Sequence, residues 1–150
     1  MKPPRGTPKT LPVESLLLVP ALQMREDQDH EHIVDLTEVL KAGKKLPRPE
    51  VVHVADGDHN GYYVVDGTHT TLAHSRAGMK RVPCLVRKGS WEDAIVAAAG
   101  ANRAHLGLKR TRGDKRRAVK TLLEQFGRKW TDGKIADHVG VSPTFVRGTR

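Results

Sequence analysis

A change of period near residue 89 limits the fold of this 150-residue chain more than any other feature. Before it lie short β-branched runs: "EVVHVA" at 50–55, "YYVV" at 62–65 and "RVPCLVRK" at 81–88. Runs of this length and composition, bounded by Gly, Pro and Asp, are strand signals. From Ser90 onward the apolar residues recur only at helical spacing, over 90–101, 114–127, 131–139 and a segment beginning at 142. The chain therefore reads as α+β: a small mixed sheet with helices, then an all-α part. We expect a domain at 1–101 and a helical domain at 102–150, with helix 90–101 packing on the first.

Within the first part, the proline-rich residues 1–12 read as a flexible lead and "VESLLLVP" (13–20) as a short strand. Ile33, Leu36, Val39 and Leu40 predict a helix over 30–43 that stops at Gly43. A turn through 56–61 separates the strands at 50–55 and 62–65, and residues 68–77 predict a helix ended by Gly78.

Charge divides at nearly the same place. Residues 1–101 hold 13 Lys/Arg against 13 Asp/Glu, whereas residues 102–150 hold 13 against 4, so the whole formal excess of +9 lies in the last third. Such a segment is the electrostatic footprint of a polyanion partner, because each cation beside a phosphate releases condensed counterions. A solvated charged helix carries similar charge, so a motif must decide. No apolar run approaches the roughly 20 residues that span a bilayer. The single cysteine, Cys84, excludes an internal disulfide and a Cys-rich zinc site. A cytoplasmic, nucleoid-associated protein is expected.

The motif is "WTDGKIADHVGVSPTFVRGTR" (130–150). Thr131 suits an N-cap and Asp132 a first helical turn. Gly140 can close that helix in the left-handed conformation, and Ser142 with Pro143 opens the next. Helix, short Gly-containing turn and second helix make a helix-turn-helix over 131–150, with Phe145 and Val146 facing the core. Ser142, Pro143, Thr144, Arg147 and Arg150 would then meet DNA, and Thr131 and Lys134 would lie near a phosphate. The basic face of 110–123 could follow a DNA backbone, and a nucleotide's phosphates or plain solvation would explain it equally. The helical pattern is still running at Arg150, which reads as a shortened chain or an incomplete binding module.

"YYVVDGTHTTLAHSRAG" (62–78) poses a separate question. A strand ends at Asp66-Gly67 and a helix begins with Thr68, His69, Thr70 and Thr71. The first N–H groups of a helix lack internal partners and face the positive end of its dipole, which suits an anion. The same residue types also cap helices with no ligand. From the residues alone, both readings stand.

Taken in order, "LLLVPALQMR", "LPRPEVVHV", "GYYVVDGTHTTLAHSRAGMKRVPCLV" and "ANRAHLGLKRTRGDKRRAVKTLLEQFG", followed by the helix-turn-helix, resemble the N-terminal half of the ParB family from about Val13 to Arg150. The resemblance implies a sulfiredoxin-like first part that binds a nucleotide (CTP with Mg2+ in partition proteins) between a Gly-Glu-Arg-Arg type turn and an Asn-containing segment. It also implies a helix-turn-helix for a palindromic duplex, and clamp closure governed by nucleotide state. Gly67 matches the glycine of that turn, with Thr68, His69, Thr70 and Thr71 in the places that follow, and Asn102 matches the second motif, with Arg103 and His105 beside it. The chain departs from the pattern where Thr and His replace the adjacent arginines, and where His105 replaces an arginine three residues after the Asn. Losing bidentate, permanently charged forks weakens triphosphate binding. The expected function is DNA binding in plasmid or chromosome partition or in transcriptional regulation. A homodimer reading two half-sites is expected, together with a partition ATPase as partner. CTP hydrolysis, a ParB-like nuclease and a nucleotide-independent repressor stay open.

Two rivals have weaker support. A metal-dependent nuclease wants clustered carboxylates; Asp56, Asp58 and Asp66 are the candidates, but Asp-Gly is ordinary hairpin chemistry. His30 and His32 are two apart and His69 and His74 five apart, spacings that put neither pair on one helical face, so no metal site is expected.

Overall fold

The computed structural model describes residues 6–25, 28–100 and 110–150. Five strands form one mixed sheet: β1 (Thr7–Pro12), β2 (Leu16–Leu17), β3 (Glu50–Asp56), β4 (His59–Asp66) and β5 (Arg81–Gly89), in the order β1-β5-β3-β4-β2. β3 pairs antiparallel with β4 and parallel with β5, β1 pairs antiparallel with β5, and β2 pairs parallel with β4. The helices are α1 (His30–Lys41), α2 (Thr68–Arg76), α3 (Trp91–Gly100), α4 (Arg112–Phe126), α5 (Asp132–Val139) and α6 (Pro143–Thr149).

Strand alternation gives the sheet two apolar faces. Val51, Val64, Val82, Cys84 and Val86 bury against Leu11 and Leu16 on one face. Val52, Val54, Tyr63 and Val65 point to the other, where Ala94, Ala98, Leu122, Ile135 and Val146 join them in one core. Small residues on α3 let it lie close between sheet and helices: Ala94 and Ala98 are wholly buried, and a Cβ on Gly100 would stand 2.5 Å from the His138 ring of α5. The period change at residue 89 is thus real, but the apolar core runs across it.

Three segments depart from the expectations above. Residues 7–12 are not a free lead: they form β1, in register with 81–86. An edge position tolerates Pro8 and Pro12, which cannot donate to a ladder. Residues 13–20 are not one strand. The Ser15 hydroxyl donates to the Pro12 carbonyl at 2.6 Å, so the chain turns through a 3-10 segment (Val13–Ser15) before the two residues of β2 and a second 3-10 segment at Pro20–Leu22. The turn expected over 56–61 shrinks to Gly57-Asp58, because Asp56 already pairs with His59. Helix α4 also begins two residues early, since Thr111 and Asp114 close a capping box on each other's backbone N–H.

Candidate functional site

Gly67 sets the first candidate surface. It carries φ +95° at the N-cap of α2, and a Cβ there would stand 2.9 Å from both Cα and Cβ of Pro49. Glycine is needed for the left-handed turn and for the close approach to the loop before β3. Being glycine, it offers no capping side chain, and α2 starts with none. Helices α1, α4, α5 and α6 are capped by Asp29, Thr111, Thr131 and Ser142. Ser90 and Asp93 exchange the equivalent bonds before α3. Among the described α-helices, α2 alone presents its first turn without such a cap.

The side chains around that turn are largely engaged within the protein. The Thr71 hydroxyl donates to the Gly67 carbonyl at 3.0 Å, and the Gln23 amide donates to the Thr68 hydroxyl at 3.0 Å. His69 is buried, and its Nε2 accepts the Asp29 backbone N–H at 3.1 Å. That bond places the imidazole proton on Nδ1 and requires a neutral ring. Burial, then the nearby Arg25 charge, holds the His69 pKa down at about 4. The Thr70 carbonyl receives His74 Nδ1 at 2.8 Å. Of the side chains expected to hold phosphate here, His69 and Thr71 are turned inward. The backbone N–H groups of the first turn and the Thr68 and Thr70 hydroxyls remain for an anion.

Two arginines that the sequence did not place at this turn stand beside it. Arg25 Nη1 lies 3.7 Å from Asp114 Oδ2, which ties the segment before α1 to the first turn of α4. Arg110 donates to the carbonyls of Ala99 (2.7 Å) and Ala98 (2.6 Å), capping the C-terminus of α3. Burial lowers its pKa to about 10, with the Asp66 carboxylate opposing, so it stays charged at neutral pH and within electrostatic reach of the α2 start. Asn102, Arg103 and His105, the remaining residues expected here, lie outside the described residues. The available signals were the position of Arg25 immediately after the buried Leu22 and Met24, and the place of Arg110 at the head of the basic run.

The second surface is the α5–α6 corner. Gly140 takes φ +86°, and its N–H and that of Val141 both reach the Ala136 carbonyl, at 2.8 and 2.9 Å. Thr131 accepts the Lys134 N–H, and Ser142 accepts the Phe145 N–H. Pro143, Thr144 and Arg147 are exposed on α6, as are Lys134 on α5 and Arg150 just beyond α6. Arg150 is not open: its Nε and Nη2 donate to Asp132 Oδ1 at 3.0 and 2.7 Å, and Arg147 Nε sits 4.0 Å from Asp132 Oδ2. Both residues expected to face the core do so: Val146 is wholly buried, and Phe145, half-buried, packs against the same cluster.

The carboxylates weighed for a nuclease do not gather. Asp56 accepts the Trp91 N–H beside the β3–β4 turn that holds Asp58, and Asp66 lies at the far end of β4. Among the described residues no group of three or more His, Cys, Asp or Glu is arranged for a metal. Cys84 is wholly buried, and burial pushes its pKa up to about 11, as expected of an inert thiol. No described helix is long and apolar enough to cross a membrane.

A family model described as the ParB N-terminal domain matches residues 5–103. Among solved structures, the C-terminally truncated chromosome-partitioning protein ParB from Caulobacter crescentus, complexed to the centromeric parS site, matches at 28% identity. That match covers 94% of this chain and 69% of the other, with a TM-score of 0.61. The same protein complexed with CTP-gamma-S matches at 27% identity over 96% of this chain and 77% of the other, TM-score 0.56. A Pnob8-like ParB-N domain, 14% identical over 79% of this chain and 45% of its own, shares the fold at a TM-score of 0.56. No curated protein matches the sequence.

Proposed function

The chain belongs to the ParB N-terminal domain family, and from that premise we propose that it is a ParB-like partition protein that binds duplex DNA through α5 and α6. The carrying observation is the α5–Gly140–α6 corner, which exposes Thr144 and Arg147 in the segment that holds the whole positive excess. In a helix-turn-helix the start of the second helix reaches base edges while the first crosses the backbone. Thr131 and Lys134 then meet a phosphate, and Ser142, Pro143, Thr144 and Arg147 lie along the groove, with Arg150 behind them. A homodimer on two half-sites and a partition ATPase as partner complete this reading.

CTP, carried with Mg2+, is the proposed ligand of the first surface. The fit is partial. The uncapped first turn of α2 suits phosphate oxygens, and the Arg25 charge stands next to it. Gly67, Thr68 and Thr70, with Asn102 and Arg103, would hold the nucleotide; His69, Thr71 and His105 would shape its surroundings. The absence of arginine from residues 68–71 and the inward hydrogen bonds of His69 and Thr71 favour a second reading, a nucleotide-independent helix-turn-helix regulator.

Anisotropy with a labelled duplex at several salt concentrations, with and without CTP, separates them. The expected result is steep salt dependence, with Arg147→Ala reducing the logarithmic slope by about one. No binding at low salt would overturn the DNA reading. Calorimetry that is flat for CTP, ATP and GTP would leave the nucleotide-independent regulator.

A further inference from the structure

The positive charges of the helical part are held in two different ways. Arg147 and Arg150 lean on Asp132. Arg112 and Arg116, on the first turns of α4, lean on an aromatic ring instead: their guanidinium carbons stand 5.2 and 5.9 Å from the centroid of Phe145. Among the described residues no carboxylate pairs with either. A ring face orders a guanidinium without neutralising it, so both charges stay available to a ligand while part of their side-chain freedom is already spent. Positions 112 and 116 share one helical face.

These two residues wall a cavity of about 320 Å³ whose other side is α6, through Ser142, Thr144, Phe145 and Gly148. The lining suits an oxyanion: two uncompensated guanidinium forks, the Thr144 hydroxyl, and a glycine that adds no side chain. α6 packs against both α4, which carries Arg112 and Arg116, and α5, whose Lys134 ammonium lies 4.2 Å from the centroid of the Trp130 ring. This also explains why Phe145 stays half-buried, since its ring face is the platform for the two arginines.

We propose that the Arg112–Arg116–Phe145 cavity is a phosphodiester site that grips the DNA backbone alongside α6, separate from the contact made by Lys134. The inference rests on the DNA-binding reading of the α5–α6 corner. It singles out two residues of the basic face at 110–123 and makes them, ahead of the Asp132-bound Arg150, the main source of sequence-independent affinity.

The test uses the full chain and a labelled random-sequence duplex, with anisotropy read at several salt concentrations. The double variant Arg112→Gln/Arg116→Gln is compared with Lys9→Gln/Lys88→Gln, which removes equal charge from exposed positions on β1 and β5. One neutralised phosphate contributes about 0.9 to the logarithmic salt slope. The arginine variant is expected to lose roughly tenfold in affinity, the scale of lost charge-assisted hydrogen bonds, and about one unit of slope. The lysine variant should keep the parent slope. Phe145→Leu, which keeps an apolar residue but removes the ring, should lose roughly threefold, as a cation–π contact of a fraction of a kcal/mol predicts. An unchanged slope for the arginine variant, or an equal loss in the lysine variant, overturns the site while leaving parent DNA binding in place. Loss of the calorimetric CTP signal in the arginine variant, with its duplex slope intact, would reassign the cavity to a nucleotide phosphate and overturn the backbone assignment. A parent protein that does not bind duplex overturns the underlying DNA reading itself.

Discussion

Two residues at the start of α2 have measurable consequences of their own. Gly67 is held at φ +95° against Pro49, so Gly67→Ala meets both a disfavoured backbone region and a 2.9 Å contact with Pro49. We expect a loss of roughly 2–3 kcal/mol, read as a lower urea midpoint; a variant as stable as its parent would mean that the turn is not fixed. His69 links stability to pH. Its folded-state pKa is about 4 against 6.5 for the free side chain. Between those values the unfolded chain gains a proton that the folded chain refuses, so stability is full above pH 6.5 and falls as pH drops toward 4. The difference corresponds to roughly 3 kcal/mol. His69→Gln should flatten this part of the stability profile. Equal acid sensitivity in variant and parent would show that another group carries it. A glycine and a polar residue at a strand–helix junction were legible from sequence; the inward direction of the imidazole was not, because it depends on the Asp29 N–H, 40 residues away.

At the scale of elements, the helix boundaries follow local chemistry and the pairing of elements does not. Asp29, Thr111, Thr131 and Ser142 each accept an N–H three residues on; Thr131 and Ser142 start helices where the sequence places them, whereas the Thr111 cap starts α4 two residues before the expected 114. Gly140 ends α5 for an equally local reason. The Asp132 carboxylate belongs to the next level, since it caps no backbone group but joins α5 to the arginines of α6. Replacing it by Asn frees Arg150 and Arg147 for phosphate. We expect Asp132→Asn to raise affinity for random-sequence duplex by a few-fold, with less than about 1 kcal/mol lost in stability, as befits a partly exposed pair. Weaker duplex binding by this variant would mean that Asp132 positions the arginines for DNA instead of restraining them. Short segments were the least legible elements: β1 and β2 are made by their partners β5 and β4, and their own sequences argued for a free lead and for a longer strand.

Across the whole molecule, the change from mixed to helical sequence does not divide the core. Val52 and Val54 of the sheet share one apolar cluster with Leu122 of α4 and Ile135 of α5. A polar tie crosses the same border, where Arg117 donates to the Pro20 carbonyl at 3.2 Å, and within the helical part His138 Nε2 of α5 donates to the Val96 carbonyl of α3 at 2.6 Å. The two tryptophans sit on either side, Trp91 stacked on His59 at the end of the sheet and Trp130 on Phe126 among the helices. Trp91→Phe and Trp130→Phe, each leaving one reporter, should therefore show coincident urea transitions. An earlier transition at Trp130 would separate α4–α6 as its own unit. The sequence by itself determined the concentration of charge in the last third, which is a matter of composition, and the period change at residue 89, the Thr131 and Ser142 caps and the Gly140 turn, because each of these depends on residues within about four positions of one another. The tertiary structure alone decided that Arg25 and Arg110 stand beside α2, that Asp132 holds Arg150, and that Phe145 carries Arg112 and Arg116. Those are contacts between residues distant in the chain, and no local pattern encodes which side chains the packing of sheet and helices brings together.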